Sequence, residues 1–367
     1  MKSLERGVQK ESLDALVLSA AHAYGFTTTP VTLTRSDIVD MPDDTDSNVA
    51  YSAALANKIG VVEETTQTWG TAKKDGGTAI VFAAASPKLS TAQAFVVKAA
   101  LVTCESAGFS DPVVLISSIG DNESRRRYVR ELGNFFKKNA KELSEDLIHL
   151  SAKYPDEAAQ SLINDNHELA NSLPRTIDYL SESSRKIMLE TISLFETLGI
   201  VYELEPRLTY TPDVQQELVF AIDAKDKKGN VVRVASGGRF EKGEKKKNRT
   251  DIIGMSVSLP ERIDTRGAAQ LPTPACFVVH VGEAAKLKAF TLLESLWRAQ
   301  IDIGQALLAE TIQEQMERAK SSDTKYVAII GQREALDDTV IIKNTGTQIQ
   351  ETIPLAKLIG RMSRVRT

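Results

Sequence analysis

With 367 residues, a formal net charge of −4, 26% charged and 42% hydrophobic side chains, the chain has material for two or three folded domains and an ordinary globular balance. This charge excludes a globally basic nucleic-acid binder, so any RNA contact must come from local patches, and nothing calls for a DNA partner. Cys104 and Cys276 are far apart and have no histidine at ligand spacing, which supports neither a disulfide framework nor a metal site and fits a reducing, cytoplasmic setting.

The N-terminal stretch is charged and amphipathic, unlike a signal peptide, and no apolar run reaches membrane-spanning length. Leu4, Val8, Leu13, Leu16, Val17 and Ala20 recur at helical spacing and predict a helix over 3–24 that Gly25 stops. A short strand near Pro30 and an acidic loop over 37–48 follow. Gly76 and Gly77 predict a turn at 73–77, with 78–82 as the returning strand of a hairpin. A helix over 91–108 and a strand over 112–117 come next. Residues 122–198 then read as almost continuously helical with breaks near Pro155 and Pro174, and 201–236 return to strands with a turn at 227–230. Linker composition marks 265–273. Beyond it, strands over 276–281, 301–306, 326–330 and 339–343 alternate with helices over 284–299 and 311–321, then a last strand and a short helix, predicting a small α/β domain with a mixed sheet.

Two stretches carry a family resemblance. Val234-Ala235-Ser236-Gly237-Gly238-Arg239-Phe240 resembles the "GGGRYD" strand of histidyl-tRNA synthetases, and the run from Gly254 to Arg262 resembles their motif 3 "GFSIGLERL". Ser118-Ile119-Gly120-Asp121 with Arg125 resembles the start of the family's helical insertion, and Pro206-Arg207-Leu208 its approach to the histidine-binding motif. Tyr24-Gly25-Phe26 with Pro30 is similar to motif 1 at the family's dimer interface. Gln315, Ala319, Tyr326 to Gly331, Glu334 and Val340 to Asn344 are similar to the anticodon-binding domain. The resemblance implies an α/β (α+β) fold: a class II aminoacyl-tRNA synthetase-like antiparallel sheet with flanking helices and a helical insertion, then a C-terminal α/β anticodon-binding domain. The expected divisions are 1–264, with the insertion about 120–200, a linker at 265–273, and 274–367.

The family's chemistry gathers negative charge on the transferring phosphate, which fixed arginines must neutralise. No arginine lies between Arg35 and Arg125, where the resemblance places one; Lys73 and Lys74 offer charge there without the planar fork. Tyr210 stands where the arginine of "RGLDYY" belongs, Val214 and Gln215 replace its tyrosines, and Pro212 removes a backbone donor. The run Gly254 to Arg262 is one residue longer than the family's, which on a helix turns a side chain by about 100°. The expected remnants of an ATP or ligand pocket are therefore Lys73, Lys74, Gly237, Gly238, Arg239 and Arg262, with Tyr210, Val214 and Gln215 as degenerate catalytic positions.

Candidate RNA contacts are Arg125, Arg126, Arg127, Lys245, Lys246 and Lys247, with Gln315, Glu334 and Lys343 in the C-terminal domain. Plainer readings stand beside these: a glycine pair at a strand end is as often a close-packing site, and a lysine run in a loop is usually solvated surface. The leading expectation is a synthetase-like homodimer without aminoacylation activity that binds tRNA or another RNA or serves as an accessory subunit. Rival expectations are an active, divergent histidine-tRNA ligase, for which ATP and Mg²⁺ would be needed, and a regulator resembling the regulatory subunit of ATP phosphoribosyltransferase. No cofactor is otherwise expected.

Overall fold

The computed structural model describes residues 17, 21, 23–26, 30–38, 41, 45–62, 65–74, 76–86, 89–242, 250–260, 273–309 and 311–364. Its larger sheet contains β1 (Val31–Leu33), β2 (Thr66–Lys74), β3 (Gly77–Ala85), β4 (Ser110–Gly120), β5 (Tyr202–Leu204), β6 (Gln216–Lys225), β7 (Val231–Lys242) and β8 (Thr250–Leu259), in the order β1-β2-β3-β8-β7-β6-β4-β5. The six inner strands are antiparallel as expected, whereas β1 joins β2 and β5 joins β4 in parallel at the two edges. The hairpin forms at the expected place, with Gly76 in the left-handed region at φ 79°.

Both faces of the central strands are covered, and the strand period of two sorts their residues. Along β3, Ile80, Phe82 and Ala84 enter one core while Ala79, Val81 and Ala83 enter another. Helix α1 (Ser47–Ile59) closes the second core, packing on β3, β7 and β8. Asp46 caps it, accepting the amides of Asn48 at 2.7 Å and Val49 at 3.3 Å. The first core lies under α2 (Leu89–Ser106), the helix expected over 91–108.

The insertion consists of α3 (Asn122–Lys138), α4 (Glu145–Lys153), α5 (Pro155–Asn164) and short 3-10 turns at Glu168–Ser172 and Thr176–Tyr179. Tyr128, Leu132 and Phe136 recur every fourth residue on α3 and meet Ala158, Leu162 and Ala170 in a separate small core. The expected break near Pro155 falls between α4 and α5, and Pro155 starts α5, since the first turn leaves its missing donor unneeded. Helix α6 (Glu182–Thr197) packs on α2, and its Met188 and Phe195 belong to the main core.

The C-terminal sheet has β9 (Cys276–His280), β10 (Ile303–Gln305), β11 (Tyr326–Ile330), β12 (Thr339–Asn344) and β13 (Gln350–Pro354) in the order β10-β9-β11-β12-β13. It is mixed, as expected: β10, β9 and β11 are parallel, and β12 and β13 antiparallel. Helices α7 (Glu283–Arg298), α8 (Ile312–Ser321), α9 (Gln332–Leu336) and α10 (Leu358–Ser363) accompany it. The domain is seated on α2: Phe290 of α7 meets Phe95 with ring centroids 4.7 Å apart, and Lys98 Nζ reaches Glu294 Oε1 at 2.9 Å. The expected linker at 265–273 falls, up to 272, outside the described residues.

Candidate functional site

The residues expected to form one ligand pocket lie on opposite faces of the larger sheet. On the α1 face, Lys74 Nζ donates to Ser258 Oγ at 2.8 Å and Ser47 Oγ at 3.0 Å, and Ser258 Oγ donates to Asn48 Oδ1 at 2.7 Å. Lys73 is exposed on the neighbouring position of β2, where its carbonyl accepts the Tyr51 hydroxyl at 3.4 Å. Arg239 pairs in register with Ile253, which belongs to the α2 core. Ile253 and Ser258 are about 17 Å apart along β8 at 3.4 Å per residue. Register and face together separate Lys74 from Arg239.

Arg239 is held by carboxylates of its own chain. Its Nη2 and Nε donate to Asp251 Oδ1 at 2.6 and 2.9 Å, and its Nη1 lies 3.6 Å from Glu217 Oε1, with the Arg239 and Glu217 side chains 14% and 7% exposed. Ser184 Oγ donates to the same Glu217 oxygen at 3.1 Å. Burial pushes the Glu217 carboxyl above its usual range, against the pull of Arg239 and Ser184, and Glu217 Oε2 has no partner among the described residues. Glu217 also holds φ at 54°, in the left-handed region, where the pairing register of β6 shifts; such backbone is unfavourable by about 1 kcal/mol. A guanidinium already neutralised by two carboxylates presents little field to a phosphate.

The glycine pair serves close packing, the plainer of its two readings. A Cβ at Gly237 would run into the carbonyl oxygen of Gly254, and one at Gly238 would stand 2.9 Å from Leu218 O and 3.0 Å from Gln215 Nε2.

The segment that carries the degenerate positions lies across the α1 face and fills it. Tyr210 is buried among Leu115, Ile119, Leu208, Val219 and Ala221, and burial raises its hydroxyl pKa well above the ordinary value. Its amide donates to Gln160 Oε1 of α5 at 3.1 Å. Gln215 is buried too: Oε1 accepts the Thr211 amide at 2.9 Å and Nε2 donates to Gly237 O at 2.8 Å. Val214 packs against the core beneath α1. Two buried amide bonds and an aromatic ring thus occupy the ground between α1 and the insertion.

The candidate RNA contacts have varied positions. Arg125 ties the insertion to this segment, its Nε to Asp156 Oδ2 at 2.8 Å and its Nη1 to Asp213 Oδ1 at 2.7 Å. Arg126 donates to Asn122 O at 3.1 Å, and Arg127 is paired with Glu123. Gln315 is buried and brackets the His280 backbone, accepting its amide at 2.9 Å and donating to its carbonyl at 3.2 Å, so an RNA-facing role does not fit its position. Glu334 caps α9 by accepting the Gly331 amide at 3.0 Å. Lys343 is half-buried on β12. Lys245, Lys246, Lys247 and Arg262 lie outside the described residues. Among the described residues no cluster of histidine, cysteine and carboxylate side chains is arranged to hold a metal, and no helix is long and apolar enough to cross a membrane.

Sequence reasoning missed a polar cleft of about 650 Å³ between the insertion and the outer strands, lined among others by Leu115, His167, Asn171, Arg207, Asp223 and Arg233. These residues come from five separate stretches, and no spacing in the chain links them.

A family model described as "Anticodon binding domain" matches residues 275–364. A histidine-tRNA ligase of a Geobacillus species is 29% identical over 273 residues, covering 72% of this chain and 64% of that protein. That of Anoxybacillus flavithermus is 26% identical over 260 residues, covering 69% and 62%. This chain thus spans just under two thirds of the length of these relatives. Among solved structures, the apo histidyl-tRNA synthetase of S. aureus aligns with a TM-score of 0.49 and 18% identity, covering 99% of this chain and 100% of that one.

Proposed function

We propose that this chain, which belongs to the histidyl-tRNA synthetase family, is a member without aminoacylation activity that binds tRNA or another RNA, or acts as an accessory subunit. One observation carries the reading: Tyr210 and Gln215 fill the sheet face where the resemblance places histidine, while Arg239 is neutralised by Asp251 and Glu217 on the other face. Opening that face would expose buried apolar surface and orphan two buried amide bonds, a loss of several kcal/mol that substrate binding would have to offset. The C-terminal domain supports the RNA partner, because the matched family is named for anticodon binding. The reading includes a homodimer formed near β1, next to the motif 1-like segment, and a cytoplasmic location.

The names of the relatives favour a second reading, an active and divergent histidine-tRNA ligase using ATP and Mg²⁺. Histidine-dependent exchange of pyrophosphate into ATP separates the two. The proposal expects exchange at the level without enzyme, together with recovery of tRNA after crosslinking in cells. Exchange that depends on histidine would overturn it.

A further inference from the structure

The RNA-binding reading leaves the polar cleft beside the insertion without a role. Leu115 of β4 and Leu208 line it beside polar and charged side chains. Arg233 and Asp223 cancel each other there, with Arg233 Nε and Nη2 donating at 2.8 and 3.1 Å to the two carboxylate oxygens. Arg207 differs. Its guanidinium bonds the side-chain oxygen of Asn171, a neutral partner.

Donors accumulate around it. His167 Nδ1 accepts the Leu169 amide at 3.2 Å, so in the neutral ring the proton sits on Nε2, which is left as a donor. That bond caps the turn at Glu168–Ser172, and the same turn carries Asn171 to Arg207, so the histidine and the guanidinium are set by one short element. Asn164 and Asn166 add amides to the lining. Glu205 also lines the cleft, where its Oε1 accepts the Arg207 amide at 3.0 Å. A carboxylate so close disfavours a polyanion and allows a single compensated charge. The volume of about 650 Å³ is that of small-molecule sites.

We propose that this cleft binds a small metabolite with one oxyanion group, phosphate or carboxylate, on a neutral hydroxylated body. The oxyanion is received by the fork of Arg207 and by His167 Nε2–H, and the hydroxyls by the asparagine amides.

Calorimetric titration of the full chain with glycerol 3-phosphate and, separately, with glycerate tests this and distinguishes the two oxyanions. Saturable one-site binding of at least one probe below about 10 mM is expected. Arg207→Gln should weaken it about tenfold or more, the scale of a charge-assisted bond. His167→Asn keeps an acceptor for the Leu169 amide and should weaken binding too, whereas Arg130→Gln, on the exposed side of α3, should not. Saturation by neither probe, or equal affinity in Arg207→Gln with an unchanged unfolding midpoint, would overturn the proposal. Neither result bears on pyrophosphate exchange, so this idea and the RNA reading fail independently.

Discussion

In the larger sheet every position of β3 from Gly77 to Ala85 is buried between two cores, whereas in the C-terminal sheet β13 leaves Gln350, Glu351 and Thr352 in solvent. The contrast extends to polar groups. At the centre of the larger sheet, Lys74, Gln215 and Arg239 are each engaged by hydroxyls, amides or carboxylates of the same chain. In the C-terminal domain Gln315 and Glu334 are likewise engaged, but the antiparallel side of the sheet keeps an open surface with Lys343 beside it. A region whose polar groups are satisfied internally must break structure to bind, and one with an open polar face need not.

If this contrast holds, substitutions at the closed face should act on stability before anything else. Gly237→Ala is expected to have the largest effect, because its Cβ meets the Gly254 backbone, which cannot move without β8. A loss of about 4 kcal/mol or more, or failure to fold, should appear in urea unfolding; a midpoint near the parent's would mean that the strands have room there. Arg239→Gln should come next, at about 3 kcal/mol, by leaving Asp251 and the buried Glu217 without their cation. Its deficit should depend on pH. A carboxyl whose folded pKa is raised contributes stability below its unfolded value of about 4.3 and loses it as pH rises through the folded value. The variant should therefore approach the parent at low pH and fall away above it.

Gln315→Ala probes the other region, where loss of two buried bonds to the His280 backbone should destabilise by about 2 kcal/mol. RNA affinity per folded molecule should be unchanged, and a specific drop in filter binding would instead make Gln315 an RNA contact. The smallest effect is expected for Asp121→Asn at the start of α3. Burial would raise the Asp121 carboxyl, but the Ser124 amide and the hydroxyls of Ser124, Ser181 and Ser183 outweigh it and hold the pKa to about 2. A lowered pKa gives stability present above the unfolded value of about 3.9 and lost as pH falls toward 2. The variant should be weaker by about 1 kcal/mol at pH 7 and nearly equal to the parent at pH 2, as read from thermal midpoints.

Periodicity and turn residues made most elements legible, because strands, glycine turns and amphipathic helices such as α3 are written locally. Helix α1 was not legible. Val49, Ala50, Tyr51 and Ala53 to Ala56 are all buried, so no polar face marks a period, and the acidic run before it reads as a loop although Asp46 is its cap. The cleft was invisible for another reason: His167, Arg207 and Arg233 converge only once the insertion folds back on the outer strands.

The sequence by itself determined the order of most elements, α1 excepted, the mixed sheet of the C-terminal domain and the absence of an arginine at the expected hairpin, since each depends on residues close together in the chain. Only the tertiary structure decided that Lys74 and Arg239 stand on opposite faces, that Gln215 lies over the glycine pair and that Arg239 faces Glu217 and Asp251. Those outcomes follow from strand register and from the path of residues 208–215 across the sheet, where a shift of a single residue would send every side chain to the other face.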